Sequence, residues 1–289
     1  MKIPTKKLKT GFEMPVFGLG TWQMGGRKER DLKNNDAADI AAIKAALDTG
    51  ITHIDTAEVY ADGYAETLVG KAIQGYNRSK ILLASKVQAL NLKYDDVLRS
   101  CEQSLKRLGT DYLDLYLMHR YSSDAPLKGS IQALDRLVSE KVVRNIGVCN
   151  FGVEHLREAQ GYTNNKIVLD QVHYNLEFRE PEQKGVLDYC QKNDVFLVAW
   201  RPVGKGNLLE SIPPVLKEMS AKYKKTPAQI AINWLVSQSN VLTISKMRNP
   251  AHLEENLDAV GWQMETADIE RLRNEYPDQK FISDAVPLG

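Results

Sequence analysis

A closed (β/α)8 barrel is the fold this sequence predicts, on three observations. Eight short apolar runs recur along the chain, helical patterns fill the gaps between them, and 289 residues is an ordinary length for one such barrel. The runs are VFGLG (16–20), THID (52–55), ILLASK (81–86), LDLYLMH (113–119), RNIGVC (144–149), IVLDQV (167–172), VFLVAW (195–200) and VLTIS (241–245). Their apolarity is continuous rather than alternating, as in strands of a parallel sheet buried on both faces.

Ahead of the first strand, KIPTKKLKTGFEMP reads as a small β-hairpin turning near Thr10 and Gly11 and closing the barrel floor; its lysines read as a solvated strand face. Ile40, Ile43 and Leu47 fall at i, i+3 and i+7 and predict a helix over 36–50, with Gly50 as its stop. Val97, Leu98, Cys101, Leu105 and Leu108 make one stripe over 94–109, ended by Gly109. TPAQ places Thr226 at N-cap, Pro227 at N1 and Gln229 at N3, a capping-box start. No low-complexity stretch or Pro/Gly/Ser-rich linker divides the chain. The expectation is one domain, 1–289, a TIM barrel with an N-terminal hairpin at its floor.

Composition excludes several classes. At 43% hydrophobic and 26% charged residues the chain has globular proportions, and 38 basic against 37 acidic residues leave a net charge of +1. No strongly basic field exists to hold nucleic acid or an anionic membrane. No stretch approaches the roughly 18 continuous apolar residues of a membrane span, and the first residues lack the apolar segment of a signal peptide. Cys101, Cys149 and Cys190 match neither a zinc nor a disulfide pattern. These features predict a soluble, cytoplasmic protein with no nucleic-acid or membrane partner.

In such a barrel the active site lies at the C-terminal ends of the strands, and the unusual residues collect there. The first strand ends in GTWQ (20–23), the second at Asp55 with Tyr60 beyond it, the third at Lys86 and the fourth at His119. The fifth ends at Cys149 and Asn150, the sixth carries Gln171, the seventh ends at Trp200 and Arg201, and the eighth at Ser245 and Lys246. Singly, each has a bland reading: Asp55 as a turn cap, Tyr60 as amphipathic surface, Lys86 as a solvated loop lysine, His119 as a structural histidine. Four titratable groups at one barrel mouth favour a joint, functional reading.

The chemistry follows from proton affinities. A phenol titrates near about 10, too high to exchange protons freely at neutral pH. A nearby ammonium stabilises the tyrosinate and lowers that value, and a carboxylate holds the ammonium in place. Asp55, Lys86 and Tyr60 then form a relay in which Tyr60 gives a proton to an oxygen that neutral His119 orients. This suits carbonyl reduction, with the hydride supplied by a cofactor. A metal site at Asp55, His119 and His53 is disfavoured: no HxH or HExxH spacing exists, and His53 is expected to point away from Asp55. The metal expectation is none. GxSxG is absent, which disfavours a serine hydrolase, and GLGTWQ lacks the third glycine of a Rossmann fingerprint.

GLGTW (18–22), DTAEVY (55–60), Lys86 ending ILLASK and DYLDLYLMH ending on His119 resemble the aldo-keto reductase family. GVCNF (147–151), QVHYN (171–175), AWRPVGKG (199–206) and SKMRNPAHLEEN (245–256) continue the resemblance to about residue 275. It implies reversible reduction of aldehydes or ketones by NADP(H) lying across the barrel mouth, with NAD(H) as a lesser possibility, and a monomer. Residue by residue, Asp55, Tyr60, Lys86 and His119 fall on the family's catalytic tetrad, with Tyr60 as general acid. Gly20, Thr21 and Trp22 line the first loop. Asn150 and Gln171 bind the nicotinamide carboxamide, and Trp200 stacks on the nicotinamide face. Arg201, Pro202, Val203 and Gly204 follow along the cofactor, and Ser245, Lys246, Met247, Arg248, His252 and Asn256 serve the adenosine end. Trp22, Tyr60 and His119 face the substrate.

This chain departs from the family pattern at several positions. Cys149 and Arg201 replace serines, Met247 replaces the serine of the 2′-phosphate motif, and His252 stands at its usual arginine. Arg248 and the N-terminus of a helix starting at Asn249 and Pro250 remain to hold a phosphate. Arg201 either reaches the pyrophosphate or an acidic substrate, or braces its own loop. HRYSSDAP (119–126) replaces the family's usual loop, so no substrate carries over. The tail QKFISDAVPLG either covers the mouth or lies elsewhere. The competing reading is a nucleotide-binding regulatory module on the same barrel, like potassium-channel β subunits; an inactive barrel is a third. Retention of all four tetrad residues opposes both.

Overall fold

The structure, a computed structural model, describes residues 3–289. Eight parallel strands close into a barrel: β3 (Phe17–Gly20), β4 (His53–Asp55), β5 (Leu82–Val87), β6 (Leu113–Met118), β7 (Val143–Cys149), β8 (Ile167–His173), β9 (Phe196–Trp200) and β10 (Val241–Ser245). They pair in chain order, and β10 closes the ring by pairing with both β9 and β3. Each predicted apolar run became a strand, with ends shifted by a residue at most. The runs are apolar throughout because one side of each strand faces the barrel interior and the other faces helices.

The hairpin strands β1 (Thr5–Lys7) and β2 (Glu13–Pro15) precede the barrel and pair antiparallel, Lys6 opposite Met14. Lys6 Nζ donates to the carbonyls of Val236, Gln238 and Val241, the last opening β10, while Phe12 packs 6.2 Å from Phe196 at the start of β9. Both anchors lie at the N-terminal ends of barrel strands, so the hairpin closes the floor, opposite the site.

The helices are α1 (Asp36–Asp48), α2 (Tyr64–Ile73), α3 (Tyr94–Leu108), α4 (Leu127–Ser139), α5 (Val153–Gly161), α6 (Glu180–Gln183), α7 (Val186–Lys192), α8 (Pro214–Tyr223), α9 (Pro227–Val236), α10 (Pro250–Leu257) and α11 (Thr266–Glu275). Gly109 ends α3 at φ 63°, a left-handed position that glycine adopts without Cβ strain. Thr226 and Gln229 form the reciprocal capping box at the start of α9.

The tail crosses the C-terminal ends of β8 and β9. Lys280 pairs its backbone with Glu177 and Arg179, and the buried carboxylate of Glu180 accepts from the amides of Ser283 and Leu288. Gly289 ends against Gly152, in the turn after β7, so closely that a Cβ at Gly152 has no room. Of the two sequence alternatives, the tail therefore lies over the mouth side, at the β7–β9 sector. No helix among the described residues is long and apolar enough to cross a membrane.

Candidate active site

Barrel register brings the four titratable residues together. Asp55 lies beside Ala84 on β5, and Lys86 stands two residues further along the same face. Lys86 Nζ donates to Asp55 Oδ1 at 2.6 Å, to Thr56 O at 2.8 Å and to Tyr60 OH at 3.4 Å. Lys86 is fully buried and Asp55 nearly so. The His119 ring meets Tyr60 edge-on at 5.6 Å, and the Trp22 ring meets it edge-on at 5.0 Å. Tyr60 is held by a turn whose residues Ala61, Asp62 and Gly63 all have positive φ, packed against the backbone of Arg27 and Lys28.

Burial pulls the Lys86 ammonium down, but Asp55 and Tyr60 outweigh it and hold the pKa above the ordinary lysine value. Burial pushes the Tyr60 phenol up to about 12, with Lys86 pulling the other way. This corrects the expectation of a lowered phenol: the ammonium is in place, yet loss of water dominates. Burial, aided by Lys86 and Arg120, lowers His119 to about 3, so it is neutral at working pH.

His53 corrects a second expectation. Residues two apart on a strand share a face, so His53 lies on the same side as Asp55. It is buried, its ring fills the space beside Gly18 that a Cβ would need, and its Nε2 has no hydrogen-bond partner. Among the described residues no group of three His, Cys, Asp or Glu side chains is placed to hold a metal ion. Burial drives the His53 pKa down to about 4, with Asp55 opposing and Lys86 assisting. As pH falls below about 6.5 the unfolded chain takes up a proton that folded His53 refuses until about pH 4. The folded pKa lies below the unfolded one, so this histidine makes the fold lose about 1.4 kcal/mol per pH unit across that window. Urea unfolding of the wild type and His53→Asn at pH 7 and pH 5 measures it. The wild type is expected to lose about 2 kcal/mol more than the variant; equal losses would show that folded His53 is protonated at pH 5.

The residues matched to cofactor positions line the same mouth. Gly20 pairs with Asp55 across β3 and β4, and Thr21 Oγ1 donates to Asp55 O at 3.0 Å. Asn150, at φ 60° where asparagine is tolerated, donates to His119 O at 3.2 Å and accepts from Trp200 Nε1 at 3.3 Å. Gln171 donates to Asp55 Oδ2 at 2.9 Å, so the amide matched to nicotinamide recognition also fixes the acid of the relay. Trp200 stacks on His173 at 4.2 Å and His173 on Phe178 at 4.1 Å, while the Arg201 guanidinium sits 4.9 Å from the Trp200 ring. Arg201 pairs with Asp284 of the tail at 3.1 Å, and its carbonyl accepts from Asn175 at 2.8 Å. The pair ties Arg201 to the tail. Pro202 and Gly204 are buried and Val203 half-buried.

At the other side of the mouth, Ser245 ends β10 beside Leu19. Lys246 Nζ donates to Gln23 Oε1 at 2.5 Å; Arg248 donates to Gln23 O at 2.6 Å, to Asn34 Oδ1 at 3.0 Å and to Asp39 Oδ2 at 2.8 Å. Burial, Arg248 and Arg27 hold the Lys246 pKa below its ordinary value, against Asp39. Met247 turns into the core, 1% exposed, whereas His252 is exposed and Asn256 buried one turn later on α10. Gln23, Asn34 and Asp39 were missed by sequence reasoning. Gln23 stands at the end of the quoted GTWQ, but nothing local marks its partners more than 200 residues away.

The sequence pattern of the Aldo/keto reductase family matches residues 16–276. The methylglyoxal reductase YeaE of Escherichia coli (strain K12) is 32% identical over 271 residues, covering 92% of this chain and 93% of that protein. Among solved structures, a thermostable aldo-keto reductase in complex with the inhibitor epalrestat aligns at a TM-score of 0.90 with 41% identity, covering 94% of this chain and 99% of that one. An aldo-keto reductase from Klebsiella pneumoniae in complex with NADPH aligns at 0.84 with 33% identity, covering 97% and 98%. The chain belongs to the aldo/keto reductase family and is an oxidoreductase.

Proposed function

We propose that this protein is a single-domain, cytoplasmic, monomeric reductase that converts small aldehydes or ketones to alcohols with NADP(H). The observation that carries it is the buried Asp55–Lys86–Tyr60 chain beside neutral His119. The cytosolic part rests on three buried, unpaired cysteines. The donor set fits the cofactor: the cations Lys246 and Arg248 stand just ahead of α10, and the amide of Asn150 lies between His119 and Trp200. NADPH in one structural neighbour supports the choice of cofactor.

A nicotinamide held by Asn150, Gln171 and Trp200 would supply the hydride that such a reduction needs. Tyr60 OH gives its proton to the carbonyl oxygen as negative charge grows there, because an alkoxide is a far stronger base than a tyrosinate. Lys86 stabilises the tyrosinate left behind, and Asp55, pinned by Gln171, keeps Lys86 charged and in place. Neutral His119 orients the carbonyl oxygen without competing as a proton donor.

The similarity to a methylglyoxal reductase favours small 2-oxoaldehydes as the first substrates to try. NADPH consumption is followed with methylglyoxal and a panel of simple aldehydes, alongside tryptophan-fluorescence titration with NADPH. Turnover of at least one carbonyl with quenching by NADPH is expected. Quenching without turnover of any carbonyl would return the regulatory-module reading; absence of NADPH binding would end the reductase one.

A further inference from the structure

The first strand-to-helix loop is fastened across the mouth to the segment after β10. Gln23 does the fastening with two oxygens: its side-chain carbonyl accepts from Lys246 and its main-chain carbonyl from Arg248. Behind it, Gly25 N and Asn34 Nδ2 both donate to Asp39, which also pairs with Arg248. Gln23 itself sits at φ 73°, a left-handed position that a non-glycine residue adopts only when its surroundings impose it.

Two like charges that sit together repel, and something must hold them convergent. Arg248 is anchored by Asp39 and Asn34 as well as by Gln23, whereas among the described residues Lys246 donates to Gln23 alone. An amide oxygen accepts from the ammonium without cancelling its charge, and two of the three ammonium N–H donors remain for a ligand. We propose that Gln23 is a positioning residue for cofactor selectivity, holding Lys246 beside Arg248 as a preformed cradle for a phosphate monoester, the 2′-phosphate that distinguishes NADP(H) from NAD(H). The inference rests on the reading that Lys246 and Arg248 serve the adenosine end of the cofactor. It adds that the first loop, through Gln23, decides how well they do so.

Dissociation constants for NADPH and NADH are measured by fluorescence quenching for wild type, Gln23→Ala, Gln23→Glu and Lys246→Met. Gln23→Ala is expected to lower the NADPH-over-NADH ratio about fivefold by weakening NADPH and leaving NADH unchanged, in line with loss of one ordinary positioning hydrogen bond. Gln23→Glu is expected to lower it further, because a carboxylate also cancels the Lys246 charge. A thermal-unfolding midpoint for each variant identifies a change due to misfolding, which would weaken both cofactors alike. An unchanged ratio in Gln23→Ala with a lowered one in Lys246→Met would overturn the role of Gln23 and leave the phosphate site standing. A raised ratio in Gln23→Ala would also overturn it, making Gln23 a competitor of the phosphate. An unchanged ratio in Lys246→Met would remove the phosphate assignment itself, and this proposal with it.

Discussion

Tyr60→Phe is expected to lower kcat about a thousandfold, a barrier increase of about 4 kcal/mol, and to leave NADPH affinity unchanged. The variant removes one oxygen and keeps the ring that packs against Trp22, His119, Ala57 and Ala65. The residues proposed to hold the cofactor are others, so only the proton is expected to be lost. His119 replaces it poorly, because its pKa is lowered to about 3, so at neutral pH it carries no imidazolium proton and its remaining ring N–H is a far weaker acid. The reduction rate of the wild type is accordingly expected to show no titration between pH 6 and 8. Steady-state kinetics on the variant, with cofactor affinity measured separately, checks both parts. A loss of less than tenfold would move the proton donor elsewhere.

How much of this was legible in the sequence differs from residue to residue. The eight strands could be read because strands buried on both faces leave continuous apolar runs, and the caps at Thr226 and Gly109 because turn chemistry is local. The four titratable residues could be read together because three lie at or beside strand ends and Tyr60 in the turn just beyond one, and the ends of barrel strands share one mouth. The rule that residues two apart on a strand share a face places His53 on the side of Asp55. Other features had no local signal. The Gln171–Asp55 and Gln23–Lys246 bonds join residues 116 and 223 positions apart, and only closure of the barrel brings them together. Arg201 was ambiguous for the same reason, since its partner Asp284 arrives with a tail whose path depends on Glu180. The direction of the Tyr60 pKa has no signal in sequence, which names the neighbouring charges but does not measure how much water the fold removes.

Asp55→Leu is expected to destabilise the fold by about 3–5 kcal/mol, the range for leaving a buried charge without its partner. Lys86, 0% exposed, would keep only the carbonyl of Thr56 and the hydroxyl of Tyr60, and Gln171 would lose its acceptor. The double variant Asp55→Leu/Lys86→Met removes both charges and is expected to recover much of that loss, so urea unfolding of the two singles and the double gives a coupling energy. Strict additivity would mean that the two charges do not support one another. The pH dependence separates the cause further. In the wild type the Lys86 pKa is raised, so its contribution is fully present below the unfolded value of 10.5 and fades only above it. In Asp55→Leu the largest influence opposing burial is gone, leaving only Tyr60 and Cys149, and the Lys86 pKa is expected to fall below 10.5, so the variant is expected to gain stability as pH rises from 7 to 9, while the wild type shows no matching gain from Lys86. Recovery of stability without recovery of turnover in the double variant would identify why the chain keeps this charge pair. An apolar pair can fill the site, but it cannot stabilise a tyrosinate.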